Sequence, residues 1–204
     1  MKKIRNSMIG LVVLAMLVAA CATQQQAVSP MLPAPTDLPT DQTETLPVEE
    51  EESMPNTPAW FMLELKDVNS GEIFAIHEFS GKVVLIETLA TWCSNCLQQQ
   101  QEIAVVHDHF LGNPDLITIG LDIDPNEDES ILSTYTGKHG FDWKYAVASE
   151  AIALEISTNY GNQFLNPPST PILLIDREGN AYPLRFGIKS ADELIGEISN
   201  LLGE

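Results

Sequence analysis

The run Val83-Val84-Leu85-Ile86, followed after one short loop by Cys93-Ser94-Asn95-Cys96, constrains this chain more than any other segment. Four consecutive apolar residues, three of them β-branched, read as a strand covered on both faces. From Cys93 to Phe110 the spacing turns helical, with Cys96, Ile103, Val106 and Phe110 on the repeat, and it stops before Gly112-Asn113-Pro114. A buried strand that runs into a helix opening on C-x-x-C puts two thiols at a helix N-terminus. Unpaired N–H groups and a partial positive charge there favour thiolate over thiol. Cys93 is therefore the expected nucleophile, with a lowered pKa. Cys96, one turn deeper, is the thiol expected to attack a mixed disulfide and release the partner. The spacing allows a Cys93–Cys96 disulfide within one turn, and the reaction needs no other cofactor. Other readings of the pair stay open. A structural disulfide more often joins distant segments. Zinc needs about four ligands, and there is no second Cys pair; His107 and His109 point to different helix faces. A copper chaperone is the alternative from another class, since thiolates suit Cu(I).

The surrounding sequence supplies the rest of a sheet. Trp60 to Leu65 and Ile73 to Ile76 read as short strands around the turn Asn69-Ser70-Gly71. Leu116 to Leu121 is a second buried strand, and Tyr145 to Val147 a short one. Glu129 to Lys138 and Ala148 to Tyr160 read as helices. Ile172 to Ile175 and Ala181 to Phe186 flank the hairpin signal Asp176-Arg177-Glu178-Gly179-Asn180. Ser190 to Leu202 closes the chain as an amphipathic helix with Ser190 as cap and Leu194, Ile195, Ile198, Leu201 and Leu202 facing inward. Strands alternating with helices and ending in a hairpin plus helix give an α/β fold with a central mixed sheet.

The N-terminal part carries a different message. Lys2, Lys3 and Arg5 precede a short apolar run, Ile9 to Ala20, too short for a confident membrane span. Val18-Ala19-Ala20-Cys21 resembles the lipobox of bacterial lipoproteins, as against an ordinary secretory signal followed by a chance cysteine. That resemblance implies a signal peptide at 1–20, a lipid on Cys21, and an extracytoplasmic protein anchored to a bacterial membrane. Of the three cysteines, Cys93 and Cys96 then remain to pair, in a compartment where disulfides persist. Residues 21–58 are rich in proline and glutamate and lack any period, which reads as a disordered tether. The domain is expected at 59–204. The formal charge of −19 argues against a nucleic-acid partner, which would need clustered Lys and Arg.

Leu89-Ala90-Thr91-Trp92-Cys93-Ser94-Asn95-Cys96 resembles the W-C-x-x-C site of the thioredoxin superfamily, and its closest branch is the TlpA/ResA-like group of membrane-attached thiol–disulfide oxidoreductases. The resemblance covers essentially all of 60–204. It implies a thioredoxin-like fold with an extra N-terminal β-hairpin, acting as a monomer on exported protein thiols and disulfides. It also implies a reducing direction, as on apocytochrome c thiols, with a membrane electron donor for recycling. Trp92, Thr170 and Pro171 are implied substrate-binding residues. Pro171 falls where the superfamily carries a cis-proline, so that the Thr170 backbone turns toward the site and pairs with an extended substrate; an ordinary trans proline starting a strand is the alternative. Glu87, six residues before Cys93, matches a buried acid of thioredoxins. It would take the proton from Cys96, unless it is a strand-end residue turned to solvent. The family often has Pro where Asn95 stands, and commonly Glu and Pro where Gln99 and Gln101 stand; these changes leave fewer charges to tune the thiols. Asp122-x-Asp124-x-Asn126-x-Asp128 hints at a calcium loop but lacks the glycine and final glutamate, so a plain strand-end loop is the better reading. Peroxide reduction would need a cysteine in a different loop.

Overall fold

A computed structural model describes residues 57–203. The signal segment 1–20, the lipid site Cys21 and nearly all of the tether expected at 21–58 lie outside the described residues.

Strand β3, Val83–Leu89, is buried at every position, as its unbroken apolar run requires. It forms the middle of a five-stranded sheet of order β5-β4-β3-β6-β7. Strands β4 (Leu116–Asp122) and β5 (Lys144–Val147) extend it in parallel on one side. Strands β6 (Ile172–Ile175) and β7 (Ala181–Pro183) extend it antiparallel on the other. The helices are α1 (Ser94–His109), α2 (Glu129–His139), α3 (Glu150–Tyr160) and α4 (Ala191–Leu202). The crossovers β3-α1-β4 and β4-α2-β5 step the same way along the sheet, so a fixed crossover hand puts both helices on one face.

Side chains alternate across the sheet. Val83, Leu85 and Leu89 pack with Ile103 and Val106 of α1, Leu132 of α2 and Leu194 and Ile198 of α4. Val84 and Ile86 pack on the opposite face with Ile152 and Ile156 of α3 and with Trp60 and Phe61. Each fully buried aliphatic side chain contributes about 1.5–3 kcal/mol, so the doubly covered β3 is the anchor of the sheet. Side chains cap the helices as well. Asp128 accepts the Ser130 and Ile131 N–H groups, Ser149 accepts that of Ile152, and Ser190 that of Glu193.

The leading hairpin is smaller than its apolar content suggests. Residues Ala59–Met62 form a 3₁₀ turn instead of a strand, and only Leu65–Lys66 (β1) pairs with Ile73–Phe74 (β2). The Pro58 carbonyl accepts the Phe61 N–H at 3.0 Å, and the turn buries both Trp60 and Phe61 on one side. A strand would have sent these neighbours to opposite faces. The strand expected to begin at Ile73 likewise gives way to a 3₁₀ turn at Ile76–Phe79, and β7 stops at Pro183.

Candidate active site

Strand β3 delivers the chain to the end of the sheet, and Cys93 caps α1 there. Its backbone is extended, and its sulfur accepts the Cys96 N–H at 3.1 Å. Cys93 and Cys96 form a disulfide with Cα atoms 5.2 Å apart. Cys96 is wholly buried and Cys93 is 3% exposed. The order of access expected from helix position is present, but in this oxidised state both sulfurs are nearly covered.

The cover comes from a proline turn. Pro167–Ser169 is a 3₁₀ turn, and the Pro167 carbonyl oxygen lies 3.2 Å from Cys96 Sγ. Asn95, the residue between the cysteines that departs from the resembling family, donates its side-chain N–H to the Pro168 carbonyl at 2.9 Å. On the opposite side, the loop after β4 grips the approach to Cys93. Glu127 accepts the Thr91 N–H at 2.7 Å and also the Thr91 hydroxyl. Trp92 is 60% exposed, and its indole N–H donates to Asp124 at 2.6 Å. Trp92, Asn126 and its amide hold the Asp124 carboxyl below the usual carboxylate range.

Below the sulfurs, Glu87 is fully buried on the α1 and α4 face of β3. Its Oε2 accepts from Gln100 Nε2, and the Gln100 Oε1 accepts from the Tyr145 hydroxyl. Its Oε1 has no hydrogen-bond partner among the described residues. Burial drives the Glu87 pKa well above normal; Gln100 and the charge of Lys189 pull it back. Gly120 lies between Glu87 and Tyr145 in the strand register. A Cβ there would stand 2.3 Å from the Tyr145 ring, so glycine is what lets that ring cross the sheet toward Glu87.

No family model and no curated protein matches this chain. Solved structures do. A thiol:disulfide interchange protein of the thioredoxin family from Chlorobium tepidum covers 69% of this chain and 93% of its own at TM-score 0.58 and 17% identity. A secreted Mycobacterium tuberculosis disulfide oxidoreductase homologous to Escherichia coli DsbE covers 69% and 97%, at TM-score 0.56 and 15% identity. A DsbF homologue from Corynebacterium diphtheriae covers 68% and 83%, at TM-score 0.54 and 14% identity. The fold is thioredoxin-like.

Within this thioredoxin-like domain, the sequence-read residues fall on β3, the start of α1 and the segment ahead of β6, which pairs with β3. Pro171 immediately precedes β6, and its carbonyl accepts the Thr88 N–H of β3 at 3.2 Å. Thr170 requires a correction. The resemblance implied a backbone presented to an extended substrate. Thr170 is instead wholly buried. Its N–H donates to the Pro167 carbonyl at 2.8 Å, and its own carbonyl accepts from the Lys189 ammonium. Two prolines wind the preceding turn and leave Thr170 at φ 44, and the carbonyl that this turn sets against Cys96 Sγ is that of Pro167.

Three contributors escaped the sequence reading. Gln99 and Gln100 are both fully buried. Their place on the stripe of Cys96, Ile103 and Val106 is the signal that marks them. Gln99 clasps the Lys189 backbone, accepting its N–H at 2.7 Å and donating to its carbonyl at 3.1 Å. Lys189 is itself fully buried, which nothing in its sequence context announces. The alternating acids at 122–128 form a strand-end loop in which Asp122 accepts the Asp124 amide and Asp124 that of Asn126.

Proposed function

We propose that this protein is an extracytoplasmic thiol–disulfide oxidoreductase that works as a reductant on exported proteins, held at the membrane by a lipid on Cys21. The observation that carries the reading is the Cys93–Cys96 disulfide at the N-terminus of α1, with a buried, hard-to-ionise carboxyl on Glu87 of β3, bonded by Gln100 one turn beyond Cys96.

The chemistry follows from these parts. In the reduced protein, the Cys93 thiolate attacks a partner disulfide. One partner sulfur leaves as thiolate and the other joins Cys93. Glu87 in its carboxylate form takes the Cys96 proton, and the Cys96 thiolate attacks Cys93 Sγ. The intramolecular disulfide forms, the partner's second sulfur leaves, and the partner is reduced while this protein is oxidised. A membrane electron donor restores the dithiol. The reducing direction has physical support in the surroundings of Cys93. Asp124 and Glu127 line its approach, and nearby negative charge disfavours the thiolate and so the reduced form's stability, which pushes the couple toward giving up electrons. Exported apocytochrome c, whose paired thiols would be regenerated from their disulfide, is the substrate class implied by the resembling group. The signal-like leader supports export, and secretion is stated for one structural neighbour.

Insulin reduction by the dithiol protein tests the reading. Activity should fall to background in Cys93→Ser, and Cys96→Ser should accumulate a mixed disulfide with the partner, visible by mass spectrometry. A reduction potential near that of thioredoxin, about −270 mV, fits a reductant; one near about −120 mV would reverse the direction. Stoichiometric Cu(I) binding without exchange would replace the proposal with a metallochaperone.

A further inference from the structure

The prolyl turn over the sulfur pair has more carbonyls than N–H groups. Pro167 and Pro168 bring no N–H of their own, so partners for the carbonyls must come from elsewhere. Within the run 166–171, the carbonyls of Asn166, Pro167, Ser169 and Pro171 accept the backbone N–H groups of Ser169, Thr170, Gly187 and Thr88. The Thr170 carbonyl accepts from the buried Lys189 ammonium. The Pro168 carbonyl differs. It accepts from a side chain, Asn95 Nδ2 at 2.9 Å, and both residues are exposed. A hydrogen bond in the open exchanges with water at little net cost. This is the carbonyl of the run that an incoming chain can take over without unmaking the fold.

It also lies beside the reacting atoms. Asn95 stands between the two cysteines, and the carbonyl just before Pro168, that of Pro167, lies 3.2 Å from Cys96 Sγ. The proline that the resembling family often carries at position 95 has no side-chain donor and could not make this bond.

We propose that Asn95 and the Pro168 carbonyl are the docking point for the backbone of a partner protein: an extended segment next to the partner's cysteine displaces their mutual bond, its N–H going to the Pro168 oxygen and its C=O receiving the Asn95 amide. The proposal deepens the oxidoreductase reading and rests on it for the partner. A residue in an extended chain presents its N–H and C=O on the same edge, and the parted pair offers one acceptor and one donor side by side. Thr170, which the resemblance cast in this role, has both its N–H and its carbonyl committed inside the fold. Recognition of main chain admits many partner sequences. It excludes a residue without an N–H, such as proline, at the docked position.

The test uses the full chain with Cys21→Ser and Cys96→Ser, which leaves Cys93 as its only thiol. The probe is acetyl-Ala-Cys-Ala-amide activated at its sulfur with thionitrobenzoate. The Cys93 thiolate attacks the peptide sulfur, thionitrobenzoate leaves as a thiolate, and the peptide stays on Cys93 as a mixed disulfide. By NMR, the Pro168 carbonyl carbon and the Asn95 side-chain amide should move on attachment, while the Thr170 amide and carbonyl stay. Among peptides singly N-methylated at each residue in turn, one should return the Pro168 carbon to its free position. In rate measurements on the protein with both Cys93 and Cys96, that same methyl group should slow reduction of the peptide's disulfide dimer about fivefold, the worth of one net hydrogen bond. Hydroxyethyl disulfide, which has no peptide group, sets the reference rate. Asn95→Ala should lower the ratio of peptide rate to reference rate about threefold. A moved Thr170 carbonyl with the Pro168 carbon still, or a ratio indifferent to every N-methyl group, overturns the proposal. If hydroxyethyl disulfide is still reduced beside those results, the oxidoreductase reading stands without the docking point. If neither disulfide is reduced while the attached peptide still moves the Pro168 carbon, the docking point stands and the oxidoreductase reading sinks.

Discussion

At the scale of the residue, Glu87 shows how one carboxyl sets a pH window. Its pKa in the folded chain lies well above normal because burial penalises the charged form. The unfolded chain ionises near the usual glutamate value, about 4.3. Stability from the protonated acid is therefore complete below that value and is lost as pH rises through the folded pKa. The oxidised protein should melt at lower temperature as pH is raised above about 4.3 toward the folded pKa, and Glu87→Gln should flatten that decline in a calorimetric series. An unchanged slope in the variant would show that Glu87 is not the group responsible. The sequence left Glu87 between a buried acid and a strand-end residue turned to solvent; its burial follows from a strand covered on both faces. Lys189 was not legible. Lysine is mostly exposed, and only the packed backbone shows that two carbonyls and a glutamine enclose it. Thr170 was misjudged for a related reason: its sequence neighbour Pro171 was visible, but the left-handed backbone imposed after Pro167-Pro168 was not.

At the scale of the element, the loop from β4 to α2 clamps the approach to the dithiol. Asp122 is buried at the end of β4, and burial together with the neighbouring Glu127 carboxyl pushes its pKa up to about 7. Its ionisation introduces like charge beside the Glu127 that holds Thr91. The sign is again that of a raised acid: stability is complete below about pH 4, the unfolded value, and is lost on passing about pH 7. Asp122→Asn should remove that loss, and Thr91 amide exchange should become less pH-dependent. The strand β4 makes a second prediction. Gly120→Ala places a methyl group 2.3 Å from the Tyr145 ring, and overpacking of this kind costs about 1–3 kcal/mol. Denaturant unfolding should show that loss, and Tyr145 should release Gln100. The strands and helices themselves were readable from period and caps. The exceptions were short segments such as Ala59–Met62, where local turn bonding overrides an apolar strand-like composition. The role of the acidic loop was not readable, because its partners Thr91 and Trp92 lie some thirty residues earlier in the chain.

At the scale of the whole molecule, charge and topology make separate statements. A chain with formal charge −19 attracts cationic partners at long range, and that attraction is screened over about 10 Å at 0.1 M salt. Exchange with a basic disulfide peptide should therefore slow as salt is raised, whereas an acidic peptide of equal length should react faster; equal responses would remove charge steering from the account. The layered α/β class was legible in the alternation of segments, whereas the placing of α1, α2 and α4 on one face and α3 on the other depends on strand order, which no local pattern encodes. That order has a mechanical consequence. The sulfur pair is mounted at the end of β3, which has neighbours on both edges and helices on both faces. Opening the S–S bond therefore loosens nothing that holds the strand. The amides of Val84 to Glu87 should be among the last in the chain to exchange with deuterated solvent, equally slowly in both oxidation states. The protein can thus pass electrons many times as a tool with a rigid handle, its motion confined to the few residues around the tip.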